Sequence, residues 1–135
     1  MRIKKLLKTG LAVILTAMTL VQPVYAAGWM QNNTGWWWSE DSGSYPANQW
    51  KMINGTWYRF DSDGYMATGW RFINGTWYWL DSDGAMATGW GLINGTWYWL
   101  DSDGAMATNT WIGDYYVNAS GVWVETRGQN SFDGS

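Results

Sequence analysis

The sequence predicts an all-β protein, a solenoid of about five stacked β-hairpins of 20 residues each. Three observations lead to this fold class. Tryptophans return at a fixed step, as in Trp50, Trp70 and Trp90. An Asn-Gly pair recurs between apolar stretches, which is the strongest short-range signal for a hairpin. A polar Asp-Ser-Asp-Gly segment then separates each hairpin from the next.

The first residues, 1–26, have the layout of a secretory signal peptide. Four basic residues lie near the start, an apolar run extends from Leu11 to Val21, and Val24-Tyr25-Ala26 is a small-x-small cleavage signature. The apolar run is shorter than the roughly 20 residues that a membrane-spanning helix needs. We therefore expect cleavage after Ala26 and no transmembrane segment in the mature chain.

The composition limits the classes of ligand that the chain could bind. The chain has 8 Lys+Arg and 11 Asp+Glu, and the leader contains four of the basic residues, so the mature chain has a net charge of −7. This charge argues against nucleic acid, whose phosphates require a basic surface, and is compatible with a cationic ligand. The chain has no cysteine, so the fold must be stable without disulfide bonds.

The central units show the hairpin pattern most clearly. In one of them, 70–73 form the first strand, Asn74-Gly75 the turn, and 76–80 the aromatic return strand. Alternation along the return strand places Trp77 and Trp79 on one face and the neighbouring tyrosine and leucine on the other. A single hairpin cannot bury both faces, but stacked hairpins can bury the large aromatic side chains between them.

The flanking units are looser copies of the central ones. In the front unit, one extra residue in the turn makes Trp37 the expected equivalent of Trp57, with Trp36 as the alternative. In the back unit, the turn is shortened, and Asn118 begins a four-residue segment that resembles Asp-Ser-Asp-Gly. Atypical end units are expected of a solenoid. The repeat module is therefore expected over 27–124, followed by a polar tail over 125–135.

The polar motifs favour turns over metal binding or catalysis. Asp-Ser-Asp-Gly resembles the start of a calcium loop, but no further ligands follow at the required spacing. Carboxylate pairs such as Asp81 and Asp83 recur in every central repeat, whereas an active site is normally single. The absence of His and Cys excludes most nucleophile–base pairs. We expect no metal, no cofactor and no enzymatic activity.

The 14 tryptophans are the main functional candidates. Some must fill the space between stacked hairpins. Aromatic faces arranged as a cage would bind a quaternary ammonium group through cation–π attraction, at about 0.5–2 kcal/mol per ring. Flat tryptophan faces could instead stack on sugar rings, and the residues alone leave both ligands open.

The unit TGWRFINGTWYWLDSDGAMATGW, Thr68 to Trp90, resembles the choline-binding or cell-wall-binding repeat, the attachment module of pneumococcal autolysins and related surface proteins. The segment from Gly28 to Met66 is similar to the start of such modules. The resemblance covers nearly all of the mature chain and depends on GW, NG, WY, DG and M-x-TGW recurring in order. It implies a left-handed β-solenoid with choline sites in the grooves between consecutive hairpins.

The resemblance also implies the site residues. A site in that family takes two aromatic residues from one repeat and one from the next, and a methionine often closes it. The implied sets are Trp29, Trp37, Tyr58 and Met66; Trp50, Trp57, Tyr78 and Met86; Trp70, Trp77, Tyr98 and Met106; and Trp90 and Trp97 with Tyr115 or Tyr116.

The function implied by the resemblance is that of a secreted, non-catalytic binder on the bacterial cell wall. Its partner would be a polymer that carries choline, namely teichoic or lipoteichoic acid. Related repeats bind carbohydrate, so binding of a glucan or wall glycan is the alternative. Such repeats normally accompany a catalytic or effector domain, so the chain is either an attachment module alone or a fragment. Whether two copies form a homodimer is also open.

Overall fold

The computed structural model describes residues 25–128, which form eleven β-strands and confirm the predicted all-β class. The predicted leader lies outside the described residues except for Tyr25 and Ala26. In the described part of the chain, no helix is long and apolar enough to cross a membrane. The strands are β1 (Gly28–Gln31), β2 (Trp36–Ser39), β3 (Gln49–Ile53), β4 (Thr56–Phe60), β5 (Gly69–Ile73), β6 (Thr76–Leu80), β7 (Gly89–Ile93), β8 (Thr96–Leu100), β9 (Thr110–Ile112), β10 (Tyr115–Val117) and β11 (Trp123–Thr126).

The strands form five separate antiparallel sheets. The pairs β1–β2, β3–β4, β5–β6 and β7–β8 are two-stranded hairpins, and the last sheet has the order β9–β10–β11. The predicted row of repeated hairpins is thus confirmed, but the third strand of the last sheet was not foreseen. Because β11 includes Glu125 and Thr126, the segment expected as a polar tail begins within a strand.

The hairpin turns have the geometry that Asn-Gly pairs favour. Asn54, Asn74 and Asn94 each have a φ of 50°, and the glycine that follows each of them has a φ between 80° and 83°. Two consecutive positive φ values characterise the type I′ turn, whose twist matches that of the flanking strands.

The first hairpin corrects one prediction about equivalent positions. Gln31 lies opposite Trp36 in the β1–β2 ladder, as Met52 lies opposite Trp57 in the β3–β4 ladder. Trp36 therefore holds the position of Trp57, and the expected equivalence of Trp37 is wrong. The reason is that the extra residue of this unit lies in the connection to β3, so the turn itself is not lengthened.

The core contains about one large aliphatic or aromatic side chain per hairpin. The largest fully buried side chains are the last residues of β4, β6, β8 and β10, namely Phe60, Leu80, Leu100 and Val117. Most other aromatic side chains in the strands are only half-buried. Each hairpin therefore depends on its neighbours to cover its apolar surface, as in other repeat proteins.

The Asp-Ser-Asp-Gly segments form turns, as predicted. The Asp81 carboxylate accepts hydrogen bonds from the backbone N–H groups of Asp83, at 2.8 Å, and Ala85, at 3.0 Å. Asp101 and Asn118 make the equivalent bonds in the next two connections. The first carboxylate or amide of each of these segments is thus used by the turn itself.

Two ion pairs join hairpins to the preceding connection. Lys51 Nζ lies 2.7 Å from Glu40 Oε1, and Arg71 Nη2 lies 2.9 Å from Asp61 Oδ2. The hydrogen bonds that Arg71 donates to the Asp61 carboxylate raise the pKa of Arg71 above its usual value, and partial burial opposes that shift. Because the side chains of both pairs are about one-third exposed, we expect each pair to stabilise the fold by about 1 kcal/mol or less.

Candidate aromatic binding grooves

Three cavities between consecutive hairpins are lined by the predicted aromatic residues. Each takes two tryptophans from one hairpin and a tyrosine from the next. We name them the Trp50, Trp70 and Trp90 grooves after the first tryptophan of each. Their volumes are about 300, 190 and 300 Å³ respectively.

The Trp70 groove shows how the fold assembles such a site. Trp70 on β5 and Trp77 on β6 lie on the same face of their hairpin, with ring centroids 6.2 Å apart and ring planes at 88°. Tyr98 on β8 approaches from the next hairpin, with its ring 4.9 Å from that of Trp70 and at 70° to it. Met106 and Ser120 complete the lining. The predicted set of four residues is thus brought together around one cavity.

The Trp50 groove has the same arrangement of aromatic residues, and one acidic side chain also lines it. Trp50 and Tyr78 lie 5.0 Å apart at an interplanar angle of 64°, and Trp57 and Met86 also line the cavity. Asp103 and Ser102 from the β8–β9 connection add to its lining. The Asp103 carboxylate would attract a cation held between the rings.

The lining of the Trp90 groove decides between the two candidate tyrosines and includes a residue that the sequence analysis did not predict. Tyr115 lines it, with its ring 5.6 Å from that of Trp90, whereas Tyr116 lies opposite Trp111 in the last sheet. Trp123 replaces the methionine of the other grooves. The signal for it was available, because Trp123 follows Asn118 at the spacing that separates Met106 from Asp101.

Backbone bonds between repeats position the closing methionines. The N–H of Met86 donates to the carbonyl of Trp57, and that of Met106 donates to the carbonyl of Trp77, both at 2.9 Å. The Met86 side chain lies against Gly104, where an added Cβ would be 2.5 Å from the sulfur atom. The glycine of each following connection therefore leaves the space in which the methionine packs.

The first predicted set is only partly assembled. Trp29 and Tyr58 contact each other, with ring centroids 4.8 Å apart, and Met66 N–H donates to the carbonyl of Trp36 at 2.7 Å. Trp36 thus stands where Trp57 and its equivalents stand in the later grooves. Trp37 points to the opposite face of β2 from Trp36, because side chains alternate along a strand, and it lines a separate cavity.

The tryptophans that were expected to pack have that role. Trp79 and Trp99 lie opposite the first tryptophan of their own hairpins, with ring centroids 5.3 Å from Trp70 and 5.4 Å from Trp90. They pack against Trp70 and Trp90 without lining the cavities of those two grooves. No lysine or arginine is among the described residues that line the three grooves. Several steeply inclined aromatic faces around a small cavity are suited to enclosing a compact cation.

Comparison with known proteins identifies the repeat. The sequence model of the choline-binding repeat matches residues 47–82 and 67–111. A comparison with curated proteins found no match. Among solved structures, the chain is 42% identical to CbpJ from Streptococcus pneumoniae TIGR4, with a TM-score of 0.70, covering 73% of this chain and 34% of that one.

Two further solved structures are similar to the chain. The pneumococcal cell wall endolysin from phage Cp-1, complexed with choline, is 44% identical and has a TM-score of 0.64, with coverage of 76% of this chain and 32% of that one. The choline-binding domain of Spr1274 from Streptococcus pneumoniae is 47% identical and has a TM-score of 0.54, with coverage of 56% and 93%.

The share of each matched structure that the chain covers differs. The chain spans about a third of the length of CbpJ and of the phage endolysin, but nearly all of the Spr1274 domain. The matches agree with the observed row of hairpins and with the aromatic grooves between them. The chain belongs to the choline-binding repeat family.

Proposed function

We propose that this chain is a non-catalytic binding module that attaches to the bacterial cell wall by holding choline groups of a wall polymer in its aromatic grooves. The main support is the repeated arrangement of two tryptophans, one tyrosine and a methionine or third tryptophan around each of three cavities. The relatives described as choline-binding, and the phage endolysin complexed with choline, support the same ligand. We propose secretion on the basis of the signal-like leader.

The ring geometry favours choline over a sugar as the ligand of the grooves. In the three grooves, the first tryptophan and the tyrosine are inclined at 64°, 70° and 81°. A sugar ring stacks on one open, flat aromatic face. Steep rings instead direct several faces towards one point, which is the arrangement that stabilises a trimethylammonium group.

A titration with choline and its neutral isostere 3,3-dimethylbutan-1-ol tests this function directly. The two ligands have nearly the same shape, but only choline carries the positive charge. We expect choline to bind at least about tenfold more tightly, because the neutral ligand loses the cation–π attraction. Calorimetry would measure both affinities. Choline should also raise the melting temperature as its concentration increases. Equal affinities, or binding of neither ligand, would refute choline recognition.

Two tryptophan variants separate ligand binding from packing. Trp77→Ala removes an exposed side of the Trp70 groove, so we expect one fewer choline bound per chain. Trp79→Ala removes a half-buried ring that packs on Trp70, so we expect the fold to lose about 2 kcal/mol or more while the number of bound cholines at saturation stays the same. Calorimetric stoichiometry and thermal unfolding of both variants measure the two effects. An equal loss of choline sites in both would contradict the assignment of these two residues.

The absence of catalysis is also open to measurement. We expect the purified chain to release no soluble products from isolated bacterial walls. Accumulation of reducing sugar or free amino groups above the level of a heat-unfolded control would assign an enzymatic activity instead.

A further inference from the structure

The Trp50 and Trp70 grooves are built from the same four kinds of residue but differ at one polar position. Each is lined by two tryptophans, a tyrosine and a methionine. From the connection that follows in the chain, Asp103 also lines the Trp50 groove, whereas Ser120 lines the Trp70 groove. A carboxylate beside one groove is thus replaced by a hydroxyl beside the other.

Asp103 and Ser120 hold equivalent positions in their connections. The backbone N–H of Asp103 donates to Asp101 Oδ1 at 2.9 Å, and that of Ser120 donates to Asn118 Oδ1 at 3.0 Å. In both connections, the same side-chain oxygen also accepts the backbone N–H of the residue four positions after it. The two side chains therefore reach their grooves from the same place in the repeat.

The turn does not need the carboxylate of Asp103. Ser120 takes part in a turn with the same hydrogen bonds and has no carboxylate. Among the described residues, the two ion pairs use Glu40 and Asp61, and no hydrogen bond engages the carboxylate of Asp103. Because this side chain is also exposed, its charge is available to a ligand in the groove.

The two grooves therefore present different charges to a ligand. The connection that supplies Asp103 contains a second carboxylate, Asp101, whereas residues 118–121 contain none. A cation also lies near the Trp50 groove, because the guanidinium carbon of Arg59 is 5.9 Å from the centroid of the Trp50 ring. Of these three charged groups, only Asp103 lines the cavity.

A carboxylate at this position acts in opposite directions on the two ends of phosphocholine. It attracts the trimethylammonium group and repels the phosphate at the other end of the molecule. A serine hydroxyl has no net charge and can donate a hydrogen bond to a phosphate oxygen. A groove lined by serine should therefore accept the phosphate more readily than a groove lined by aspartate.

We propose that Asp103 and Ser120 give the two grooves preferences for different forms of the same ligand. The Trp50 groove favours choline without a neighbouring phosphate, and the Trp70 groove accepts choline that is joined to a phosphate. On a polymer whose choline groups are phosphate esters, the Trp70 groove is then occupied before the Trp50 groove. This inference rests on the proposed choline binding and specifies the preference of each groove.

The test compares choline with phosphocholine in each groove of the full chain. In NMR titrations, the indole N–H signals of Trp57 and Trp77 report the Trp50 and Trp70 grooves separately. The choline selectivity of a groove is its Kd for phosphocholine divided by its Kd for choline. We expect this selectivity to be at least about threefold larger in the Trp50 groove. The difference should shrink at high salt, because salt screens exposed charges.

Two reciprocal variants exchange the residues that the chain already has at these positions. We expect Asp103→Ser to lower the choline selectivity of the Trp50 groove by about threefold or more, and Ser120→Asp to raise that of the Trp70 groove by a similar factor. Both substitutions keep the backbone hydrogen bonds of the turn. The melting temperature without ligand should therefore change little.

Asp83→Ser is the matched control. Asp83 holds the same position in the preceding connection, where its backbone N–H donates to Asp81 Oδ1 at 2.8 Å. It lines neither the Trp50 nor the Trp70 groove. The variant therefore removes the same charge from the chain, and it should leave the choline selectivity of both grooves unchanged.

Three results would overturn the proposal. The first is an equal choline selectivity of the two grooves in the wild-type chain. The second is that the reciprocal variants change neither selectivity. The third is that Asp83→Ser acts as Asp103→Ser does, which would assign the effect to net charge alone. If choline binds but any of these results is found, only this proposal fails. If neither groove binds choline, the proposed function fails, and this inference fails with it.

Discussion

At the scale of single residues, the tryptophan after each of the first four hairpin turns is exposed to a common extent. Trp36, Trp57 and Trp77 are each 41% exposed, and Trp97 is 40% exposed. An indole ring gains most stability when it is fully buried. Repeated partial exposure of so large an apolar side chain supports the proposed role of these rings in ligand binding, whereas Trp79 and Trp99 pack against the first tryptophan of their own hairpins.

Trp123 offers a sharp test at this scale. Trp123→Met gives the Trp90 groove the closing residue that the other grooves have. Because one aromatic face is lost, we expect choline binding there to weaken by about two- to thirtyfold. Indole N–H signals from Trp90 and Trp97 in an NMR titration would report that groove alone.

The other grooves are the internal control for this variant. Their choline affinities, followed through the indole signals of Trp57 and Trp77, should not change. An unchanged affinity in the Trp90 groove would show that Trp123 only fills space there.

At the scale of elements, the connections between hairpins matter as much as the strands. In three consecutive connections, a methionine lies against the glycine of the following connection. Its backbone N–H donates to a strand of the hairpin one repeat earlier, as Met66 does to the carbonyl of Trp36. Each connection therefore contacts the repeat before it and the repeat after it. This arrangement explains how a chain without cysteine and with few fully buried side chains holds its hairpins in register.

Gly84→Ala tests this contact, with Gly75→Ala as its matched control. Both glycines have nearly the same φ, 82° and 83°, so the backbone strain of alanine is the same at both. An added Cβ at Gly84 would overlap the side chain of Met66, whereas nothing lies within 4 Å of one at Gly75. We expect Gly84→Ala to lower the free energy of unfolding by about 1–3 kcal/mol more than Gly75→Ala.

Chemical denaturation measures both free energies. A double-mutant cycle with Met66→Ala should recover part of the additional loss, because it removes the group that the new Cβ meets. Equal losses at the two glycines would show that the methionine simply moves aside.

At the scale of the whole molecule, repetition of the hairpin gives the chain several similar grooves, each of which is expected to bind its ligand weakly. Under the proposed function, a single groove would enclose one small cation with three or four aromatic residues, which limits its affinity. Several grooves on one chain can hold a polymer together, and the gain over a single site can reach about 10²- to 10⁴-fold. The expected net charge of the mature chain, −7, would also attract cationic groups.

A variant with two disabled grooves tests this multivalency. In Trp57→Ala/Trp97→Ala, we expect free choline to bind the remaining grooves with unchanged affinity. Retention on a surface that carries many choline groups should fall by much more than half, because linked binding events multiply. Calorimetry with free choline and surface plasmon resonance on choline-coupled dextran would measure the two quantities. A loss of retention in simple proportion to the number of sites would mean that the grooves act independently.

Much of this molecule follows from the sequence alone. The step of 20 residues, the Asn-Gly turns and the alternation along Thr76–Leu80 determined the all-β class and the row of hairpins. The resemblance to the choline-binding repeat implied the partners in the Trp50 and Trp70 grooves. These features are predictable because they are local. A two-residue turn sets the register of its own hairpin, and a near-identical repeat transfers that register to its copies.

Only the tertiary structure decided what happens where the repeat is imperfect. It showed that Trp36, not Trp37, is the equivalent of Trp57. It also showed that Tyr115, not Tyr116, lines the Trp90 groove, and that Trp123 lines this groove as well. It also brought Asn32 and Tyr65, which are far apart in the sequence, to the cavity that Trp37 lines. A one-residue change in register moves a side chain to the other face of its strand. Contacts between repeats then determine which neighbour each face packs against, and the residues that make those contacts are far apart in the sequence.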